Sequence, residues 1–353
     1  MERKRWLYLS ILLIPFLTFV KVGYTQPATS PKAAPMVLRV AHFAPPTGLF
    51  PTFLNKALNE VEQLTEGRIK AEVYWSDSLI KGREILKGIQ RGVCNMGLIP
   101  SGYYPAELPL STAHTFILYV PKGDDAGWIA RKSWEFMDKC QEIHEEHKKW
   151  GQTIWFLRPY DGFILSTNKK VIRTLEDIKG LRIRVSAEAH AKMLSAIGGN
   201  PVFMIPSEVY TALDKGTIDG CILALESIRD YSIHEVARYC TETNILLHFS
   251  PLNISLRDVE KMSENDRKTF FEVGRRVSIQ FGDALKNYWD ETKNFSEKKG
   301  VKFFPFPNEE RVKWVKTPKV QALIKSWMDE QNAAGRPGTK VMETLLDTFE
   351  VPR

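Results

Sequence analysis

Short apolar runs of two-residue period alternate along this chain with stretches of helical period, and the alternation starts over near its middle. Residues 37–43 alternate as a strand, 51–66 carry Phe53, Leu54, Ala57, Leu58, Val61 and Leu64 at helical spacing, and 69–75 alternate again. A helix over 80–91 closed by Gly92 and a strand over 95–99 complete a β-α-β-α-β run. A long helix is predicted over 124–150. Strands then return at 153–157, 163–167 and 181–185, with a helix over 187–197, a strand near Val202, a helix over 208–215 and a strand over 218–223. This order dictates an α/β layer architecture with mostly parallel pairing, built twice. Residues 245–256 read as a long crossing strand and 264–299 as a helix long enough to span both halves.

The 353 residues suffice for two ordinary cores, and 43% hydrophobic with 26% charged residues excludes disordered and low-complexity classes. Arg3, Lys4 and Arg5 precede an apolar run over 6–20 that gives way to small and polar residues, the three-part pattern of a cleaved export signal over residues 1–25. Without it the formal charge falls from +7 to +4. The remaining basic residues are dispersed, so nucleic acid is not the expected partner. Residues 26–35, rich in Pro, Ala, Ser and Thr, read as a linker.

Cys94, Cys140, Cys221 and Cys240 are even in number in a chain bound for an oxidising compartment, yet Cys94 and Cys221 open apolar runs where a free thiol serves as a small hydrophobe. Buried free thiols are expected, with no pairing assigned. Dinucleotide, P-loop and nucleophile-elbow motifs are missing, and Ser78 with Lys81 is too short a match to carry an enzyme reading. Cys140, His144 and His147 share a helix face at metal-ligand spacing, but the Glu and Lys residues around them read as a solvated helix end. No metal and no cofactor are expected.

Residues 175–226 are the informative stretch. Gly180-Leu181-Arg182-Ile183-Arg184-Val185, then Gly198 with Pro201, then Pro206, Glu208, Val209, Tyr210, Ala212 and Leu213, then Gly216 and Ile218-Asp219-Gly220 form a combination that resembles the extracytoplasmic solute-binding proteins of TRAP transporters, the DctP type. The resemblance implies a two-lobed, periplasmic-binding-protein-like fold with the ligand in the cleft between lobes and a long helix spanning both. Residues 36–158 with about 249–288 would form lobe I, and 159–248 with about 289–353 lobe II. It further implies a periplasmic receptor, not an enzyme, that hands an organic acid to membrane permease subunits. A secreted enzyme or a ligand-sensing module for a membrane receptor is the alternative.

In that family the second Arg of the Gly-Leu-x-x-Arg-Val segment, here Arg184, holds the ligand carboxylate, a role suited to the planar guanidinium fork. Strand parity alone does not separate Arg184 from Arg182. Two departures make the site more apolar: Ile164 stands where relatives carry a second Arg, and Leu223 stands where they carry Asn. Arg158 could restore the missing cation. The expected ligand keeps one carboxylate on an apolar, aromatic or branched body, in contrast to sialic acid or a C4-dicarboxylate. His42, Phe43, Tyr103 and Tyr104 follow strand ends that face a cleft, and Tyr210 and Glu226 are further candidates, Glu226 toward a polar ligand group or a bound cation.

Overall fold

The computed structural model describes residues 34–351. The export signal over 1–25 and nearly all of the linker over 26–35 lie outside the described residues. Among the described residues, eleven strands form two sheets. They are β1 (Met36–Ala41), β2 (Ile69–Tyr74), β3 (Met96–Leu98), β4 (Gln152–Pro159), β5 (Phe163–Thr167), β6 (Arg182–Val185), β7 (Asn200–Phe203), β8 (Gly220–Ala224), β9 (Tyr239–Ile245), β10 (Phe249–Ser255) and β11 (Lys302–Pro305). The first sheet runs β2-β1-β3-β10-β4, the second β11-β9-β5-β8-β6-β7.

The alternation in β1 places Leu38 and Val40 in the core while Val37 is exposed, and β1 pairs in parallel with β2 and β3. Pairing is also parallel for β6 with β7 and β8, and for β11 with β9. It turns antiparallel where a strand enters from the other sheet: β10 against β3 and β4, and β5 against β8 and β9. Both sheets are therefore mixed.

Three segments join the halves. Residues 160–162 carry the chain from β4 to β5, residues 246–248 return it from β9 to β10, and the helix Glu264–Lys298 packs first on the helices Leu49–Leu64 and Ala126–Lys139, then on Leu225–Asp230 and β11. The expected strand over 245–256 is thus two strands in different sheets with a crossing between them. Leu246 adopts φ 71, a left-handed conformation unusual for a leucine, and the main-chain N–H groups of Leu246 and Leu247 donate to the carbonyls of Leu118 and Ile117 at 2.7 and 3.0 Å. The two crossings lie side by side, with Tyr160 N–H donating to the His248 carbonyl at 3.1 Å. The spanning helix comes close to the first sheet at Gly274, where any Cβ would stand 2.5 Å from the Trp155 carbonyl oxygen.

The single helix expected over 124–150 is two, Ala126–Lys139 and Gln141–Lys148, parted at Cys140 with φ −113 and ψ 79. The break frees the Met137 carbonyl, which hydrogen-bonds His144 Nε2 at 3.1 Å. His147 is buried between Ser111 Oγ (3.1 Å) and Asn253 Nδ2 (2.7 Å). The histidines that share a face in the sequence are each committed elsewhere, and among the described residues no group of His, Cys, Asp and Glu could hold a metal ion. All four cysteines are free and buried.

Candidate functional site

A cavity opens where the ends of β1, β3, β4, β6 and β8 meet the two crossings. Its apolar wall is aromatic: Phe43, Phe50, Tyr103, Tyr160, Phe163 and Tyr231. Its polar wall is Arg158, Arg184, Ser186, Ser227, Asp230 and His248. Strand ends converging from two sheets are the usual location of a small-molecule site in such architectures.

Arg184, two residues from the start of β6, is 1% exposed. Its Nε donates to the Met204 carbonyl and its Nη1 to the Ile222 carbonyl, both at 2.9 Å, so two main-chain acceptors from flanking segments fix the plane of the fork. The Tyr103 side chain is an electrostatic neighbour of the guanidinium. Burial presses its pKa below that of a free guanidinium, but the group remains a cation at any ordinary pH. Arg182 leaves the site: it pairs with Asp219 at 2.9 Å and with the Gly216 carbonyl at the half-exposed start of the strand.

Arg158, at the end of β4, is also buried, but its charge is already balanced. Its Nη2 meets Glu226 Oε1 at 2.5 Å, and its guanidinium lies 4.4 Å from the Phe50 ring centre and 4.6 Å from that of Tyr160. The pair joins β4 of the first sheet to the helix Leu225–Asp230 that follows β8 of the second. The Arg158 charge is thus matched by Glu226, while its buried Nε has no hydrogen-bond partner and the residue lines the cavity. Glu226, offered by the sequence to a ligand group or a cation, has Arg158 as its cation and does not line the cavity.

The remaining expected residues divide by position. Phe43, Tyr103 and Leu223 line the cavity. His42 does not: Nδ1 accepts from Ala44 N–H at 3.0 Å, the ring lies 5.1 Å from each of Phe43, Phe50 and Trp75, and burial followed by the Arg158 charge holds it neutral. Tyr104 is a core residue whose hydroxyl donates to the Gly82 carbonyl at 2.6 Å. Ile164 packs with Val209, Leu213 and Ile218, and its neighbour Phe163 lines the cavity instead. Tyr210 points to the outside of its helix and donates to Glu235 at 3.1 Å.

Tyr160, Ser186, Ser227, Asp230, Tyr231 and His248 were missed. Tyr160 and His248 sit in the crossings, and the others follow strand ends, so strand-end position was the available signal. Burial, and then the Glu226 charge, pushes the Asp230 carboxyl up to about 7. His248 belongs to a buried cluster with His114 (ring centres 5.2 Å apart) and His190 (6.0 Å). Burial first, then its imidazole neighbours and the two arginines, keeps His248 neutral.

Two α/β halves, hinged by three segments around a cleft with a buried cation and an aromatic wall, define a bilobed solute-binding protein. The chain belongs to the bacterial extracellular solute-binding protein family 7, DctP, whose model matches residues 40–331. Members are binding proteins of transport systems, not enzymes. A solute-binding protein of Roseobacter denitrificans is 28% identical over 77% of this chain and 82% of its own. The sialic acid-binding periplasmic protein SiaP of Vibrio cholerae is 25% identical over 68% and 74% respectively. Among solved structures, a TRAP solute-binding protein of Rhodoferax ferrireducens in complex with copurified benzoate superposes with TM-score 0.80 at 21% identity, covering 89% of this chain and 98% of that one. A marine metagenome TRAP solute-binding protein specific for aromatic acids, in complex with metahydroxyphenylacetate, gives 0.78 at 20% identity and the same coverage.

Proposed function

We propose that this chain is the periplasmic receptor of a TRAP-type transporter and that it captures an aromatic or similarly apolar monocarboxylate for delivery to membrane permease subunits. The observation that carries the ligand class is the charge balance of the cavity. Arg184 offers the unspent part of a fixed guanidinium fork, whereas Arg158 is already neutralised by Glu226. One ligand carboxylate has a partner there and a second has none, and an unpaired buried carboxylate is strongly disfavoured. Six aromatic rings supply the apolar surface for the rest of the molecule.

Export across the inner membrane follows from the amino-terminal pattern, and no helix among the described residues is long and apolar enough to cross a membrane. Arg184 and the residues around it bind the ligand, and closure about the crossings excludes water, which strengthens the charge-assisted pair. The test is mass spectrometry of acids copurified from the native source, repeated with Arg184→Ala. An aromatic or branched monocarboxylate held by the native chain and lost from the variant is expected. Retention of the same acid by the variant, or tight binding of succinate or malate with none for apolar monocarboxylates, overturns the reading.

A further inference from the structure

We propose that the ligand is a hydroxy-substituted aromatic monocarboxylate, and that Asp230 selects it by accepting a hydrogen bond from the ring hydroxyl. This rests on the cleft being the acid-binding site. Asp230 is the acidic residue of the cavity wall and also lines the outer pocket beside it, so it stands at the cavity's mouth. Some of the other polar wall has partners of its own: Arg158 Nη2 with Glu226, and Ser186 with His190 at 3.2 Å.

Gly48, which caps the helix Leu49–Leu64, makes room for Asp230: a Cβ there would lie 2.5 Å from Asp230 Oδ1. A carboxyl group offers several lone-pair positions, so it has acceptor capacity to give a ligand. An aromatic acid without a second polar group would bring its own anion into a small cavity and leave that capacity unused. A ring hydroxyl satisfies it. Arg158 and Arg229 already act on Asp230, so a neutral hydroxyl suits the position better than an ammonium group.

The experiment is titration calorimetry at pH 7 with benzoate, the three hydroxybenzoate isomers, phenylacetate and 3-hydroxyphenylacetate, on the native protein, Asp230→Asn and Asp230→Leu. At least one hydroxy acid is expected to bind about tenfold or more tighter than its parent, since a site built to bond a hydroxyl rejects the analogue lacking it. In Asp230→Leu that ratio collapses to near one while the parent acids keep or gain affinity. Asp230→Asn, which preserves an acceptor oxygen, keeps part of the preference and serves if the leucine variant does not fold. A merely structural role would weaken both members of a pair alike and leave the ratio standing. An unchanged ratio in both variants, or equal affinities in the native protein, overturns this inference and leaves the monocarboxylate reading intact. Binding of none of these acids overturns the monocarboxylate reading and this inference with it.

Discussion

Arg158 at the end of β4 and Glu226 at the start of the helix after β8 meet at 2.5 Å, nearly buried, so an ion pair ties the first sheet to the second at the base of the cleft. Removing one partner leaves the other charge buried and alone, which costs about 3–5 kcal/mol, whereas removing both is far less damaging. Arg158→Met and Glu226→Gln are each expected to lower the urea midpoint sharply, and the double variant to recover part of the loss. Additive losses in the double-mutant cycle would show that the pair is not coupled.

Arg184→Ala is expected to weaken binding of an aromatic monocarboxylate at least about 100-fold, in line with roughly 1.5–3 kcal/mol for a bond to a charged group and its enhancement in a dry cleft. Arg184→Lys should recover only part, because a point charge cannot reproduce the fork that Met204 and Ile222 orient. Calorimetry reads both, with circular dichroism to confirm folding.

Acid should destabilise the fold. His42, His114, His147, His190 and His248 are all held below the usual imidazole value, chiefly by burial, with His114, His147 and His190 at about 3. The unfolded chain therefore binds more protons than the native one between about pH 6.5 and 3, and stability falls as pH falls through that window, by about 1.4 kcal/mol per pH unit for each such group. The raised carboxyls of Asp161 and Asp230 work the other way, gaining as pH falls toward their unfolded values. Urea unfolding at pH 6.5, 5.5 and 4.5 measures the sum. In His147→Gln the slope should shrink by about one histidine's share.

Affinity for benzoate should fall as pH rises from 6 to 8. Asp230 titrates near 7, where burial and then Glu226 raise it and Arg158 and Arg229 lower it, and a ligand anion raises it further. Binding thus takes up a proton above that value, giving up to about tenfold loss per pH unit. A flat profile in Asp230→Asn, with a falling one in the native protein, assigns the effect.

The strand and helix alternation and Arg184 were legible in the chain because periodicity and a specific motif mark them. The break at Cys140 was not, since no Pro or Gly stands there and the cause is tertiary, His144 bonding the freed Met137 carbonyl. The motif position marks Ile164, but the side chain that lines the cavity is its neighbour Phe163, and Ile164 lies in the core. Tyr160 and His248 lie in the crossings, where neither period applies, and Asp230 ends a helix of only six residues, too short to show one. The partnership of Arg158 with Glu226, 68 positions apart, has no local signature at all.

The crossing at Leu246 bears on how the receptor opens. A leucine at φ 71 is held against a cost of about 1–3 kcal/mol by the bonds that Leu246 and Leu247 make to Leu118 and Ile117. A hinge so stapled behaves as a loaded spring with a preferred angle, not as a slack tether, so the chain itself sets how far the cleft gapes. Leu246→Gly, free of that cost, would widen the range of angles the crossing can take.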